Sequence, residues 1–306
     1  MIQAVVIGNV CLDVVCVGVD DVPRHDSLEI ERAVIGPGGC ASNVAVGLAA
    51  QGIPTAIVAR MGDDLNADLL ARTWQTFGVD TRFARRAPNE ATGVSVCLVD
   101  GQAVPRFIYS PGANDALAPD ALDLDGLLAD GLRALHVAGY FVLPGLLDER
   151  LPRLLARARA RGVLTTLDVA LHSRMDAPTA WQACLPHLDV FLANRQEAER
   201  LTGFRDPARA ASRFRAWGAR AAIVKLGAEG CHLESETISK RFAPPPTAVV
   251  DSTGAGDAFA AGLIAALLRG HGLEAAVAAA NAAGAKITAS LGAIAGWAGE
   301  QVAAGN

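Results

Sequence analysis

Lysine is scarce: the 306 residues hold only Lys225, Lys240 and Lys286, and none of the three follows a glycine. A G-x-x-x-x-G-K-[ST] loop is therefore absent, which excludes a Walker-type NTPase. Runs of one charge are missing too. At a formal net charge of −5, acids and bases are interspersed, so nucleic acid is not an expected partner. The six cysteines (Cys11, Cys16, Cys40, Cys97, Cys184 and Cys231) show no C-x-x-C spacing. A metal cluster of paired ligands is excluded, and reduced, mostly buried thiols are expected. No apolar run reaches ~18 uninterrupted residues, and the apolar start Met1–Ile7 has no basic segment before Asp13 interrupts it. The expectation is a cytoplasmic protein that does not enter a membrane.

What is present is apolar: 51% of the residues are hydrophobic, enough for one large core. Ala4-Val5-Val6-Ile7, ending at Gly8-Asn9, reads as a buried parallel strand. Further apolar runs at residues 134–137, 164–168, 190–192 and 221–226 alternate with helical patterns at 146–161, 208–217 and 273–289. That rhythm predicts right-handed βαβ units in one mostly parallel sheet. Two pieces do not fit it. Residues 28–34 alternate, and two alternating runs, 93–99 and 104–109, flank the hairpin signal Asp100-Gly101. They predict a small inserted β-sheet covering part of the main domain. No repeat, linker or low-complexity tract separates further domains.

Three stretches carry chemistry. Asp251-Ser252-Thr253-Gly254-Ala255-Gly256-Asp257 leads into the strong helix formers 258–268. Small residues at a helix start leave N–H groups free for an anion, and Asp257 in the first turn can take a proton from a hydroxyl. The structural alternative is a helix start with a capping acid. Gly36-Pro37-Gly38-Gly39-Cys40-Ala41 formally matches a dinucleotide fingerprint, but the strand before it is charged and Asp63 follows only Arg60-Met61-Gly62. The other use of Gly38 and Gly39 is close backbone approach to a polar ligand, with Asn43 offering a donor and an acceptor. After residues 190–192, Asn194 and Glu197 are either a capping box or groups aimed at a magnesium-bound triphosphate. Asp13, beyond the first strand, is a turn residue or a ligand at a strand's carboxyl end.

In this order, the motifs resemble the PfkB carbohydrate kinases of the ribokinase-like superfamily over nearly the whole chain. The run Asp-Ser-Thr-Gly-Ala-Gly-Asp-Ala-Phe at 251–259 is similar to that family's C-terminal signature, and Gly38-Gly39 through Asn43, with the helix after it, to the N-terminal one. The resemblance implies a three-layer α/β/α, doubly wound, mostly parallel sheet with a small inserted β-sheet lid. The core would comprise 1–12, 33–92 and 113–306, and the lid 13–32 and 93–112. It implies ATP-dependent phosphorylation of a hydroxyl, a primary one, on a sugar or related carbohydrate, with Asp257 as base and the amides of Gly254, Ala255 and Gly256 as anion hole.

By the same resemblance, Asp13, Gly38, Gly39 and Asn43 hold the acceptor together with Asp257. Asn194 and Glu197 serve magnesium and phosphate, Glu197 through water, while Lys225, Gly227, Ala228, Gly230, Gly256 and Asn281 contact the nucleotide. Asp251 and Thr253 would bind a monovalent cation, usually potassium, with carbonyls around Ile287, Ser290, Gly292 and Gly296. Exposed lid strands imply a homodimer. The chain departs from ribose-specific relatives at Gly139-Tyr140-Phe141-Val142, where an acidic sugar contact is usual. Tyr140 and Phe141 then either stack on a base or sugar face or pack in the core. Arg24 and Arg106 either hold a phosphate already on the acceptor or are solvated charges of edge strands. The alternatives are a nucleoside kinase of this fold, a non-catalytic small-molecule binder, and an NAD-dependent oxidoreductase.

Overall fold

The computed structural model describes residues 1–102, 105–172 and 179–298. Strands β1 (Ala4–Gly8), β4 (Thr55–Gly62), β5 (Asp80–Ala87), β8 (Ala134–Ala138), β9 (Leu164–Asp168), β10 (Val190–Asn194) and β11 (Ala222–Lys225) pair in parallel. β12 (Cys231–Glu234) and β13 (Ser239–Phe242) extend the edge antiparallel, giving nine strands in the order β13-β12-β11-β10-β9-β8-β1-β4-β5. Alternate residues of β1 enter different cores. Ala4 and Val6 belong to the core that includes α1 (Cys40–Ala50), α7 (Ala255–Leu268) and α8 (Leu273–Thr288); Val5 and Ile7 belong to the one that includes α4 (Arg150–Ala160) and α6 (Pro207–Ala216). Two buried faces explain why these strands read as continuous apolar runs. The Ala-rich helices let backbones approach: a methyl on Gly262 of α7 would stand 2.7 Å from Ala283 Cβ of α8.

A second sheet, in the order β3-β2-β6-β7, comprises β2 (Cys11–Val17), β3 (Arg32–Gly38), β6 (Gly93–Val99) and β7 (Pro105–Ser110). Residues 11–12 and 33–38 thus belong to strands of this sheet. The alternation over 28–34 misplaces one of them: β3 runs four residues later and includes Gly36-Pro37-Gly38, since pairing with β2 joins Val17 to Arg32 and Cys11 to Gly38. Pro37 is tolerated because β3 is an edge strand, where a missing N–H breaks no ladder. The same placement removes the dinucleotide reading, because those glycines lie in a strand instead of a phosphate turn. Val104 and the residues beyond 298, which the sequence reading includes in its lid and core segments, lie outside the described residues.

The two faces of the small sheet differ. Gly36, Asp13, Ser95 and Tyr109 form one cross-strand row, and Ile35, Val14, Val96 and Ile108 the adjacent row on the opposite face. On the first face Val15, Cys97 and Val99 cluster with Leu291, and Cys97 Sγ lies 3.9 Å from Thr253 Oγ1, so this side rests on the loop before α7. Tyr140 and Phe141 are buried, with ring centroids 5.0 Å apart and Phe141 edge-on to Trp181, which assigns the pair to the core. Arg106 donates to the carbonyls of Val19 and Asp20 and braces the small sheet's own loop.

Candidate active site

Chain order reverses beside β1, with β4 on one side and β8 on the other, and open α/β sheets bind ligands outside the strand carboxyl ends at such a point. The strands approach closely there, since a methyl on Gly8 would stand 2.2 Å from the Ala138 carbonyl oxygen. Asn9 follows β1, Gly139 follows β8, and Asp168, Asn194 and Lys225 end β9, β10 and β11. Gly39, at φ +88°, caps α1 while its Cα passes so near Asn9 and Val10 that a Cβ would lie 2.6 Å from their backbone. Only glycine suits both conditions.

Asn43, on the first turn of α1, donates from Nδ2 to Asp257 Oδ2 at 2.8 Å. That bond joins the N- and C-terminal motifs, 214 residues apart. Loss of water around Asp257 raises its carboxyl to about 7, aided by the charges of Asp168 and Asp13 and opposed by the Asn43 bond and Lys225. Asp13 is raised to about 6, mainly by burial, against hydrogen bonds from Cys11 and Ser95. Buried oxygens without a protein partner face this region: Asn9 Oδ1 and Asn43 Oδ1. Tyr109, across Ser95 from Asp13, has its hydroxyl 3.4 Å from Asn114 Nδ2.

On the other side of Asp257 lies a cavity of about 570 Å³. Lys225, Gly227, Ala228, Gly230, Gly256 and Asn281 all line it, as do Val249, Phe259 of α7 and Pro244–Pro246, a stretch that lacked any motif. Asn281 is fixed by donating to the Phe242 carbonyl at 3.2 Å. Gly254, in the left-handed region at φ +77°, opens α7 against Ala293. Among the amides of the expected anion hole, that of Ala255 already donates to Ser252, 3.2 Å away. Those of Gly254, Gly256 and Asp257 have no carbonyl partner among the described residues. A larger depression, about 860 Å³, sits at the opposite strand ends around Leu164, Val190 and Ala221, away from every motif.

Asn194 and Glu197 do form the capping box: Asn194 Oδ1 accepts from Glu197 N at 2.9 Å and Glu197 Oε2 from Asn194 N at 2.7 Å. Glu197 is also buried, and burial raises its carboxyl to about 7. Structural and chemical roles are compatible here, because one carboxylate oxygen remains outside the cap. Asp251 Oδ1 accepts from Thr253 N and Oγ1, at 2.9 and 2.7 Å, and Oδ2 from Gly292 N at 2.8 Å. The 250–253 loop is thereby tied to the end of α8, and Ile287, Ser290, Gly292 and Gly296 all lie in that segment, where the Ile287 and Gly292 carbonyls accept from Ser290 and Ala295. Among the described residues no group of three or more His, Cys, Asp or Glu side chains could hold a metal.

Asp168, absent from the motif reading, ion-pairs with Lys225 inside this site. Its only sequence signal was a carboxylate closing an apolar strand. Asn9, Cys11, Ser95 and Tyr109 gave none.

Comparison with known proteins agrees with the geometry. Residues 1–298 match the model of the pfkB family carbohydrate kinases. An uncharacterized sugar kinase from Archaeoglobus fulgidus is 31% identical over 75% of this chain and 89% of its own length. An ATP-dependent ribose-1-phosphate kinase from Halopiger xanaduensis is 29% identical over 93% and 91%. The structure of Arabidopsis thaliana ribokinase with ribose and ATP superposes with a TM-score of 0.82 at 26% identity, covering 97% of this chain and 96% of that one. The chain belongs to the pfkB family of carbohydrate kinases.

Proposed function

We propose that the protein transfers the γ-phosphoryl group of ATP to a hydroxyl of a sugar or nucleoside, with Asp257 as the base. The observation that carries this is the Asn43–Asp257 bond, which sets the carboxylate between the polar crevice of Asp13 and the 570 Å³ cavity. An acceptor held by Asp13, Asn43 and the Gly38-Gly39 backbone presents its hydroxyl to Asp257. The oxygen attacks phosphorus in line, and unpartnered amides at the α7 N-terminus receive the charge that develops. The free acceptor oxygens of Asn9 and Asn43 suit a polyhydroxylated ligand.

The residues present fit the implied ions. Glu197 is the group that would hold magnesium through water, and that ion would neutralise phosphate charge. Asp251 and Thr253, with the carbonyls of the 287–296 segment, form the set that would hold potassium beside the anion hole. The small sheet acts as a lid, its Asp13 row toward the crevice. A cytoplasmic setting supplies ATP and keeps thiols reduced; all six cysteines are free.

The test is a coupled ADP-release assay over sugars, phosphosugars and nucleosides, with and without potassium. Acceptor-dependent ADP release is the expected result, whereas saturable acceptor binding without release would favour a binding protein.

The lid's outer row, Ile35-Val14-Val96-Ile108, gives the reading its assembly: a homodimer joined through this apolar face as well as through free strand edges. Ile35 and Ile108 are each 63% exposed in the single chain, on the two edge strands at the ends of this row, an apolar exposure that favours burial against a partner. Light scattering is expected to give twice the chain mass for the wild type and the chain mass for Ile35→Asp. A wild type that stays monomeric at tens of micromolar rejects this interface.

A further inference from the structure

We infer that Lys225 is a catalytic cation for the transferring phosphoryl group and that Asp168 is the residue that positions it. The inference rests on the kinase reading and adds an electrostatic device to it. β9, β10 and β11 are neighbours, and across the intervening β10 Asp168 pairs with Leu192 and Lys225 with Asn194, so the two charged residues are separated by one strand and offset by two residues. The Lys225 ammonium reaches back across β10 to Asp168 Oδ2, with side chains only 15% and 7% exposed. The same ammonium lies against the first turn of α7. A methyl group on Gly256 would be 3.1 Å from Nζ, the residue beside the base and between two amides without carbonyl partners. Lys225 also lines the 570 Å³ cavity, so its head group lies where the nucleotide side meets Asp257.

An ammonium has three N–H donors, and the ion pair with Asp168 takes one. Two remain for oxygens in the cavity. Asp168 is a poor stabiliser of the fold: it is buried, its Oδ1 has no hydrogen-bond partner, and a buried ion pair contributes little net stability over an apolar pair. Its physical effect is to hold a flexible four-carbon side chain in one direction, toward α7.

In the reaction the acceptor O–H gives its proton to the Asp257 carboxylate as its oxygen forms a bond to the γ-phosphorus. The bond from that phosphorus to the β–γ bridging oxygen breaks, and ADP leaves with the electron pair. Lys225 keeps its proton throughout and donates hydrogen bonds to phosphoryl oxygens as their charge redistributes. Asp168 exchanges no atom.

Lys225→Met is expected to lower kcat by about 10²–10³-fold, the cost of removing one oriented donor from a developing oxyanion, with acceptor KM nearly unchanged. Lys225→Arg should exceed Lys225→Met by at least about tenfold if charge is what matters, since packing alone favours the methionine. Asp168→Asn should lower kcat in the wild-type background and have no further effect in the Lys225→Met background, because it acts through the lysine. Should Lys225→Met fail to fold with Asp168 left unpaired, the neutral double variant Asp168→Asn/Lys225→Met replaces it in the kcat measurement. The proposal is overturned by a folded variant lacking the lysine whose kcat stays within about threefold of wild type, or by an Asp168→Asn loss that persists without the lysine. A wild-type enzyme inactive on every acceptor fails the kinase reading instead, and shows it before any variant is made.

Discussion

Asp257→Asn lowers turnover by about 10²–10⁴-fold and leaves ATP affinity nearly unchanged, because the amide keeps the shape of the carboxylate and loses only its ability to take a proton. Asn43 Nδ2 donates to Oδ2 of residue 257, and an asparagine oxygen can still accept there, so the joint between α1 and α7 survives. The wild-type pH profile carries the complementary signature. Burial raises Asp257 to about 7, so the base is protonated and silent below that value and ionised above it. Acceptor kcat/KM should therefore climb with pH on a limb centred near 7 and then level. Glu197 is raised to a similar value. The two are separated by the variant: a limb that persists in the residual activity of Asp257→Asn belongs to Glu197, and one that vanishes belongs to Asp257. Stability moves the other way. The fold raises this carboxyl above its reference value of 3.8, so ionisation between the two values opposes folding, and the neutral amide should not lower Tm at pH 8. Undiminished turnover in Asp257→Asn would remove the mechanism.

Gly38→Ala should be nearly as damaging for the acceptor while sparing the nucleotide. A Cβ at this position would lie 2.0 Å from Asp13 Cγ and 2.1 and 2.2 Å from its carboxylate oxygens, far inside contact distance. The register of β2 and β3 fixes both Cα atoms, so the carboxylate must leave its place or the strands must part. An acceptor misplaced by about 1 Å costs on the order of 10²-fold in kcat/KM, whereas ATP affinity should hold, since Gly38 is not among the residues that line the 570 Å³ cavity. A double-mutant cycle isolates the cause: on an Asp13→Ala background the added methyl meets no carboxylate and should cost little. An equal loss on both backgrounds would mean that the strand itself, and not Asp13, is what the glycine protects.

The alanine-rich run after Asp257, the continuous apolar strands and the order of the two glycine motifs are written locally. A helix start needs small residues and free amides wherever it occurs, and a strand buried on both faces must be apolar along its length. Those signals placed α7, β1, β9 and Asp257 from sequence alone, and the resemblance they carried supplied the family. The strand read at 28–34 lies at 32–38 because Gly36-Pro37-Gly38 carries no local strand signal, while an edge position beside β2 makes it one. Asp168 and Tyr109 were silent because a carboxylate at a strand end or a tyrosine in a hairpin means nothing until its neighbours are known. The sequence by itself therefore determined the layered sheet and the small-residue start of α7 with Asp257 in its first turn. Only the tertiary structure decided that Lys225 meets Asp168, that Tyr109 shares a row with Asp13, and that Asn43 holds Asp257. The physical reason is that each of these contacts depends on strand order and register, which bring together residues far apart in the chain, and no local periodicity encodes them.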